Sequence, residues 1–214
     1  APDNSAAQWG AIGLIPAEDF GATVPAIVKQ LNLANWLTFS RRADGAYGYG
    51  GPDNGAWGLV ATTPAGMVQL AMDGVGRGDA KWDVAESWLR DRFHNETGAS
   101  SSLKDYYYGL FAFTKAMLLH DSNADGVAEP ITDLESTTLG ADPIDWYGAQ
   151  RNMALPNSVN NTNGVARTLV NEQNAGGFWS GHNFSGEQFS FETAWAIIML
   201  NRTLFSAGAP VAVI

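Results

Sequence analysis

The chain has 214 residues, 45% of them hydrophobic and 16% charged, with 8 Trp, 6 Tyr and 10 Phe. That composition supplies a sizeable folded core and excludes a disordered chain. A net charge of −10, with only 12 Lys plus Arg, leaves little to neutralise phosphates, so neither nucleic acid nor an anionic membrane is an expected partner. The chain has no Cys, which removes disulfides, a thiol nucleophile and thiolate metal sites. No apolar run reaches the length of a membrane span.

Residues 7–14 (AQWGAIGL) read as a helix that is apolar nearly all round, and such a helix is buried on most sides. Thr23 and Pro25 open an amphipathic helix carrying Ile27, Val28, Leu31 and Trp36. The text GAYGYGG, residues 45–51, reads as a turn with a short hairpin, because its glycines would weaken a strand. Thr63 with Pro64 suits a helix start, and Gly74 and Gly76 suit its end. Next comes an amphipathic stripe of Trp82, Ala85, Trp88, Leu89 and Phe93, with Asp83, Glu86, Arg90 and Asp91 facing away. Residues 110–119 are again apolar all round, and so are residues 194–200. Between them, Asp142 and Asp145 read as caps of a helix starting near Trp146.

The chain repeats itself. Leu169-x3-Gln173-x3-Gly177-x-Trp179 has the spacing of Leu37-x3-Arg41-x3-Gly45-x-Tyr47, and a degenerate third copy follows Trp88 and Leu89 at Asn95 to Gly98. The apolar helices fall into one frame with starts at residues 7, 63, 106 and 193. Apolar and amphipathic helices alternate. That pattern predicts two concentric layers in an all-α, α/α toroid: an inner ring packed on both sides and an outer ring with one wet face.

The Leu169–Gln173–Gly177–Trp179 pattern resembles the QW motif of squalene and oxidosqualene cyclases. With the TAW text at residues 193–195 it resembles the prenyltransferase and squalene oxidase repeats of the terpenoid cyclase / protein prenyltransferase superfamily. The resemblance covers roughly residues 4–205, with 121–164 outside its clear part. It implies an α/α toroid built from helical hairpins. A complete ring of that kind has six hairpins, whereas four or five are legible here. The expectation is therefore one domain over residues 1–214, part of a longer chain, with an inserted acidic loop at about 121–135.

The family's chemistry is not carried over. There is no D-x-D-D acid motif, no D-D-x-x-D magnesium motif and no zinc set of Asp, Cys and His. His94, His120 and His182 are far apart and read as solvated or capping residues. Ser185-Gly186-Glu187-Gln188 matches the thioester motif of complement-type toroids except at its Cys, and without sulfur that bond cannot form. A carboxylate pair for glycosidase or lyase chemistry would have to come from Asp44, Asp53, Asp73 and Glu192.

Two constellations remain. Asp121-x-Asn123-x-Asp125-Gly126-x-x-Glu129 places oxygen donors at alternate positions around a Gly turn. The Val127 carbonyl and Asp133 extend the set, so a Ca2+ loop is one reading and a plain acidic loop the other. Trp9, Tyr108 and Trp195 occupy one column of the inner-helix frame and either line a cavity for a carbohydrate or lipid ligand or belong to the core.

The expected role is a non-catalytic binding or structural module of a secreted or surface protein, whether extracellular, periplasmic or cell-surface. The alternative is an enzyme using the toroid cavity, either a polysaccharide lyase or hydrolase or terpenoid-cyclase-like. The start at Ala1 rather than Met fits a removed leader, and sequons stand at Asn95, Asn160, Asn183 and Asn201. Partners in this reading are neighbouring domains of the same protein, or a homo-oligomer that completes the ring.

Overall fold

The structure is a computed structural model. It describes residues 2–53, 55, 58–93, 102–104, 106–123, 127–147, 164–181 and 189–201. These residues are mostly helical. The elements are α1 (Asn4–Asp19), α2 (Ala26–Leu31), a π-helical stretch (Asn32–Leu37) that runs into α3 (Thr38–Ser40), α4 (Leu59–Met72), α5 (Ala80–Arg90) and α6 (Tyr107–Leu118). Two short strands follow, β1 (Asp133–Leu134) and β2 (Ile144–Asp145), then α7 (Val165–Glu172) and α8 (Phe189–Leu200).

The four helices that share the sequence frame pack in chain order. α1 lies on α4, α4 on α6, and α6 on α8. The amphipathic helices each touch this row: the π-helical stretch and α5 lie against α4, and α7 against α8. α4 is buried along almost its whole length, as its uniform apolarity requires.

Asn4 ties the first elements together. Its amide nitrogen donates to the Gly48 carbonyl at 2.7 Å, and its oxygen accepts from Trp36 Nε1 at 2.8 Å and Gln69 Nε2 at 2.9 Å. A buried side-chain amide costs stability unless it is partnered in this way.

The two copies of the joint have the same geometry. Leu37 and Leu169 are buried, and the aromatic ends Tyr47 and Trp179 are buried with them. Gly45 and Gly177 sit at φ 90° and 82°, a backbone that only Gly adopts without strain. The Arg42 amide donates to the Ala46 carbonyl at 2.8 Å, and the Asn174 amide to the Phe178 carbonyl at 2.9 Å. The amides of Tyr47 and Trp179 donate to Thr63 Oγ1 and Thr193 Oγ1, both at 3.1 Å. Thr62 donates back to the Tyr47 carbonyl at 2.6 Å, and Thr193 returns the same bond to Trp179 at 3.4 Å. Gln173 donates to the Gly177 carbonyl at 3.2 Å, closing its own turn.

Thr63 therefore joins the hairpin to the next helix. It is not the N-cap expected from the sequence: α4 starts four residues earlier and carries Pro64 inside it. We expect Thr63→Val and Thr193→Val each to cost about 1–2 kcal/mol, because each strands a buried amide. Denaturant unfolding measures this; Thr193→Val removes both bonds to Trp179, whereas Thr63→Val leaves that of Thr62 to the Tyr47 carbonyl in place.

Other expectations change in the folded chain. α2 buries none of its residues, so Ile27, Val28 and Leu31 form an exposed apolar stripe. Residues 144–145 form β2, antiparallel to β1 in the register Asp133–Asp145 and Leu134–Ile144, in place of a helix cap. Its anchor is Trp146, which is buried edge-on against Phe113. The GAYGYGG text does make a hairpin, closed by an antiparallel bridge between Arg41 and Tyr47. The degenerate third joint lies outside the described residues.

Glu86 also reverses its expected direction. It points inward, 2% exposed, because four donors converge on it. Oε1 accepts from Arg77 Nη2 at 2.5 Å and the Glu135 amide at 2.8 Å. Oε2 accepts from Arg77 Nε at 3.0 Å and Trp82 Nε1 at 2.9 Å. The node fastens the segment around β1 to α5 and to the turn before it.

Candidate functional site

The three aromatic candidates from the sequence come together. Trp9 of α1 stacks on Phe111 of α6, with centroids 5.5 Å apart and planes at 28°. Trp195 of α8 lies 6.4 Å from the same Phe111 ring and meets Tyr108 edge-on at 5.5 Å. Phe191 extends the stack, 6.0 Å from Trp195. Tyr108 and Trp195 are buried, while Trp9 is 45% exposed and Phe191 is 60% exposed. The result is an aromatic surface with a packed middle and two open ends.

Polar groups edge this cluster. The Tyr108 hydroxyl accepts from the Gln8 amide and shares a 2.7 Å hydrogen bond with Ser5 Oγ. Burial raises the Tyr108 pKa. One turn after Phe111, the Lys115 ammonium lies 5.4 Å from that ring, and burial lowers its pKa to about 8. Phe111, Phe191 and Lys115 were not singled out from the sequence. Lys115 had a usable signal, since it is the one charge between Tyr106 and Leu119.

Of the carboxylate candidates, Asp44 and Asp73 each accept from their own partner, Trp88 and Asn32. Asp44 Oδ2 accepts from Trp88 Nε1 at 3.2 Å, beside the first joint. Glu192 is buried in the first turn of α8. Asp73 caps the end of α4 and accepts from Asn32 Nδ2 at 2.8 Å. Its burial outweighs that bond and raises its pKa to about 7.

Asp73 sets a pH dependence. Its folded pKa lies above the unfolded value of 3.8, so the folded state binds the proton more tightly. The stability this adds is present at acid pH and is lost as pH rises towards 7. Asp73→Asn should remove that slope and raise stability above pH 7 by about 2 kcal/mol, since the amide oxygen can still accept from Asn32. Thermal midpoints from pH 5 to 8 check it.

In the acidic loop, Asp125 and Gly126 lie outside the described residues. Glu129 Oε2 accepts from Ser122 Oγ at 2.7 Å and from the Ser122 amide at 3.3 Å, and Oε1 from Asn123 at 3.4 Å. The bonds from Ser122 lower the Glu129 pKa. Val127 is exposed. Asp133 sits in β1, where its carbonyl accepts from Arg77 and its side chain from Thr132 at 3.3 Å. Asn123 and Glu129 thus meet, and Asp133 belongs to β1. Among the described residues, no three or more His, Asp or Glu side chains are grouped to hold a metal.

His120 is not solvated as expected. It is buried, tilted against Trp82 at 4.8 Å. Its Nε2 accepts from the Arg77 amide at 3.0 Å, so Nδ1 carries the proton and donates to the Glu129 carbonyl at 2.9 Å. His94, His182 and the 185–188 motif lie outside the described residues.

No helix among the described residues is long and apolar enough to cross a membrane. No protein-family model matches this chain, and comparison with characterised proteins and with solved structures finds no match.

Proposed function

We propose that this chain is a non-catalytic binding or structural module of a secreted or surface protein, built as a segment of an α/α toroid. The observation that carries the reading is the aromatic cluster. α1, α6 and α8 bring together Trp9, Phe111 and Trp195. The repeated joint and the row of four apolar helices support the toroid geometry. The ligand class that suits Trp9 and Phe191 is a saccharide ring or an acyl or isoprenoid chain, either of which packs on an exposed aromatic face.

Tryptophan fluorescence tests it, with soluble oligosaccharides and an isoprenoid alcohol as probes. The module reading expects saturable quenching by one probe, abolished in Trp9→Ala, with the probe recovered unchanged. Conversion of either probe to product, lost in Asp73→Asn, would replace this reading with the enzymatic one, since burial raises the Asp73 pKa to about 7.

Calcium enters this reading as a clip for the acidic loop. Asp121, Asn123, Asp125, the Val127 carbonyl and Glu129 supply the donors, and Glu129 must release Ser122 to join them. Calcium should then raise the thermal midpoint of the wild type and leave Glu129→Gln unmoved; an equal response in both removes calcium from the account.

A further inference from the structure

Trp9 has one face to offer. Phe111 covers the other, with centroids 5.5 Å apart and planes at 28°, so the 45% exposure of Trp9 falls on its outer side. The exposed residues beside it on α1 are Ala6, Gly10 and Gly13, none with a side chain longer than a methyl. Nothing lies within 4 Å of a Cβ built on Gly10 or Gly13. The indole therefore stands clear as a flat platform.

Polar groups stand one turn away. Ser5 precedes Trp9 by four residues, so the two lie on one face of α1. Ser5 Oγ is half-buried and shares a 2.7 Å hydrogen bond with the Tyr108 hydroxyl, which also accepts from the Gln8 amide. Whichever hydroxyl donates, Ser5 Oγ keeps capacity for a further bond. Behind them Gln8 is fully buried, and among the described residues its Oε1 has no partner. Gln8, Tyr108 and Ser5 thus form an incomplete hydrogen-bond chain that runs from the interior to the edge of the indole. The carboxylate of Asp3 acts on the same Tyr108 hydroxyl, and residues 4–17 carry no charge.

We propose, on the module reading above, that Trp9 and Ser5 take a neutral saccharide, a chain of pyranose rings with equatorial hydroxyls. Such a ring lays an apolar C–H face on the indole and carries hydroxyls at its rim for Ser5. A prenyl or acyl chain would cover the Ser5–Tyr108 pair and offer it no partner, which costs the desolvation of a hydroxyl. An acidic saccharide would meet the Asp3 carboxylate and a chain of net charge −10.

Titration calorimetry of the 214-residue chain tests this, with cellohexaose, the glucuronate chain of the same linkage and farnesol as probes. The wild type should bind cellohexaose saturably and the other two more weakly. Ser5→Ala should weaken cellohexaose binding about tenfold, the loss of one hydrogen bond. Trp9→Ala should abolish it. Circular dichroism confirms the fold of each variant, with Trp9→Phe, expected to bind more weakly than wild type, replacing Trp9→Ala if the latter is misfolded. Saturable farnesol binding that needs Trp9, without cellohexaose binding, overturns the saccharide and leaves the module reading standing. Equal binding of the glucuronate chain overturns the restriction to neutral ligands. Cellohexaose binding that ignores both Trp9 and Ser5 overturns the site. Cleavage of cellohexaose overturns the module reading alone, and no binding of any probe overturns both.

Discussion

Glu86→Ala should lower the unfolding free energy by about 3–5 kcal/mol, the largest loss expected from a single polar residue in this chain. Glu86 is the common acceptor for Arg77, Trp82 and the Glu135 amide. Truncating it strands the Trp82 indole N–H and the Glu135 amide. Among the described residues, it leaves Arg77 an ion pair with Glu135, at 3.1 Å on the solvent side, and the charge of Asp133 nearby. Unsatisfied buried donors retain their full desolvation cost, which is why removing the acceptor is worse than never having had the network. Glu86→Gln does not rescue it, because an amide nitrogen would face donors on one side. Urea unfolding is the check, and a loss below about 1 kcal/mol would mean that the node is solvated.

Gly109→Ala should cost about 3 kcal/mol, although Ala is the better helix former. The new methyl would overlap the Val60 carbonyl, which is fixed backbone in α4, so α4 and α6 must separate. That carbonyl is accessible to Gly109 for a local reason. Pro64, four residues on, has no N–H to bond it, and the Gly109 hydrogens approach it as in Cα–H···O contacts. Gly10→Ala in the same column should instead raise monomer stability, by up to about 1 kcal/mol, because its Cβ meets nothing and helix propensity alone acts. The opposite signs at two aligned glycines separate packing from propensity in one pair of melts.

Much of the helical organisation was legible because its signals are local. Uniform apolarity marked α4 and α6 as buried, but it overstated α1 and α8, which leave Trp9, Phe191 and Ile197 exposed; a shared spacing marked the two joints. The spacing works as a signal because the turn needs Gly at a positive φ and an aromatic two residues later. The failures are tertiary. Glu86 looked solvated on its helix face, since its partners Arg77 and Glu135 converge only in the fold. The apolar stripe of α2 was sound as periodicity, but burial needs a neighbouring surface, and none of its residues is buried. β1 and β2, at two residues each, are too short to show any period. Of the aromatic cluster, the frame revealed the column of Trp9, Tyr108 and Trp195. Phe111 and Phe191 lie off that column and join it only because α1, α6 and α8 meet.

Hydrogen exchange at the Tyr47 and Trp179 amides tests the repeated joint most directly. Both should be protected to the same degree in the wild type. Thr193→Val should open Trp179 while leaving Tyr47 protected, and Thr63→Val should do the reverse. Rapid exchange at either amide in the wild type, or protection that ignores the threonines, would contradict the claim that the two joints are one structure used twice.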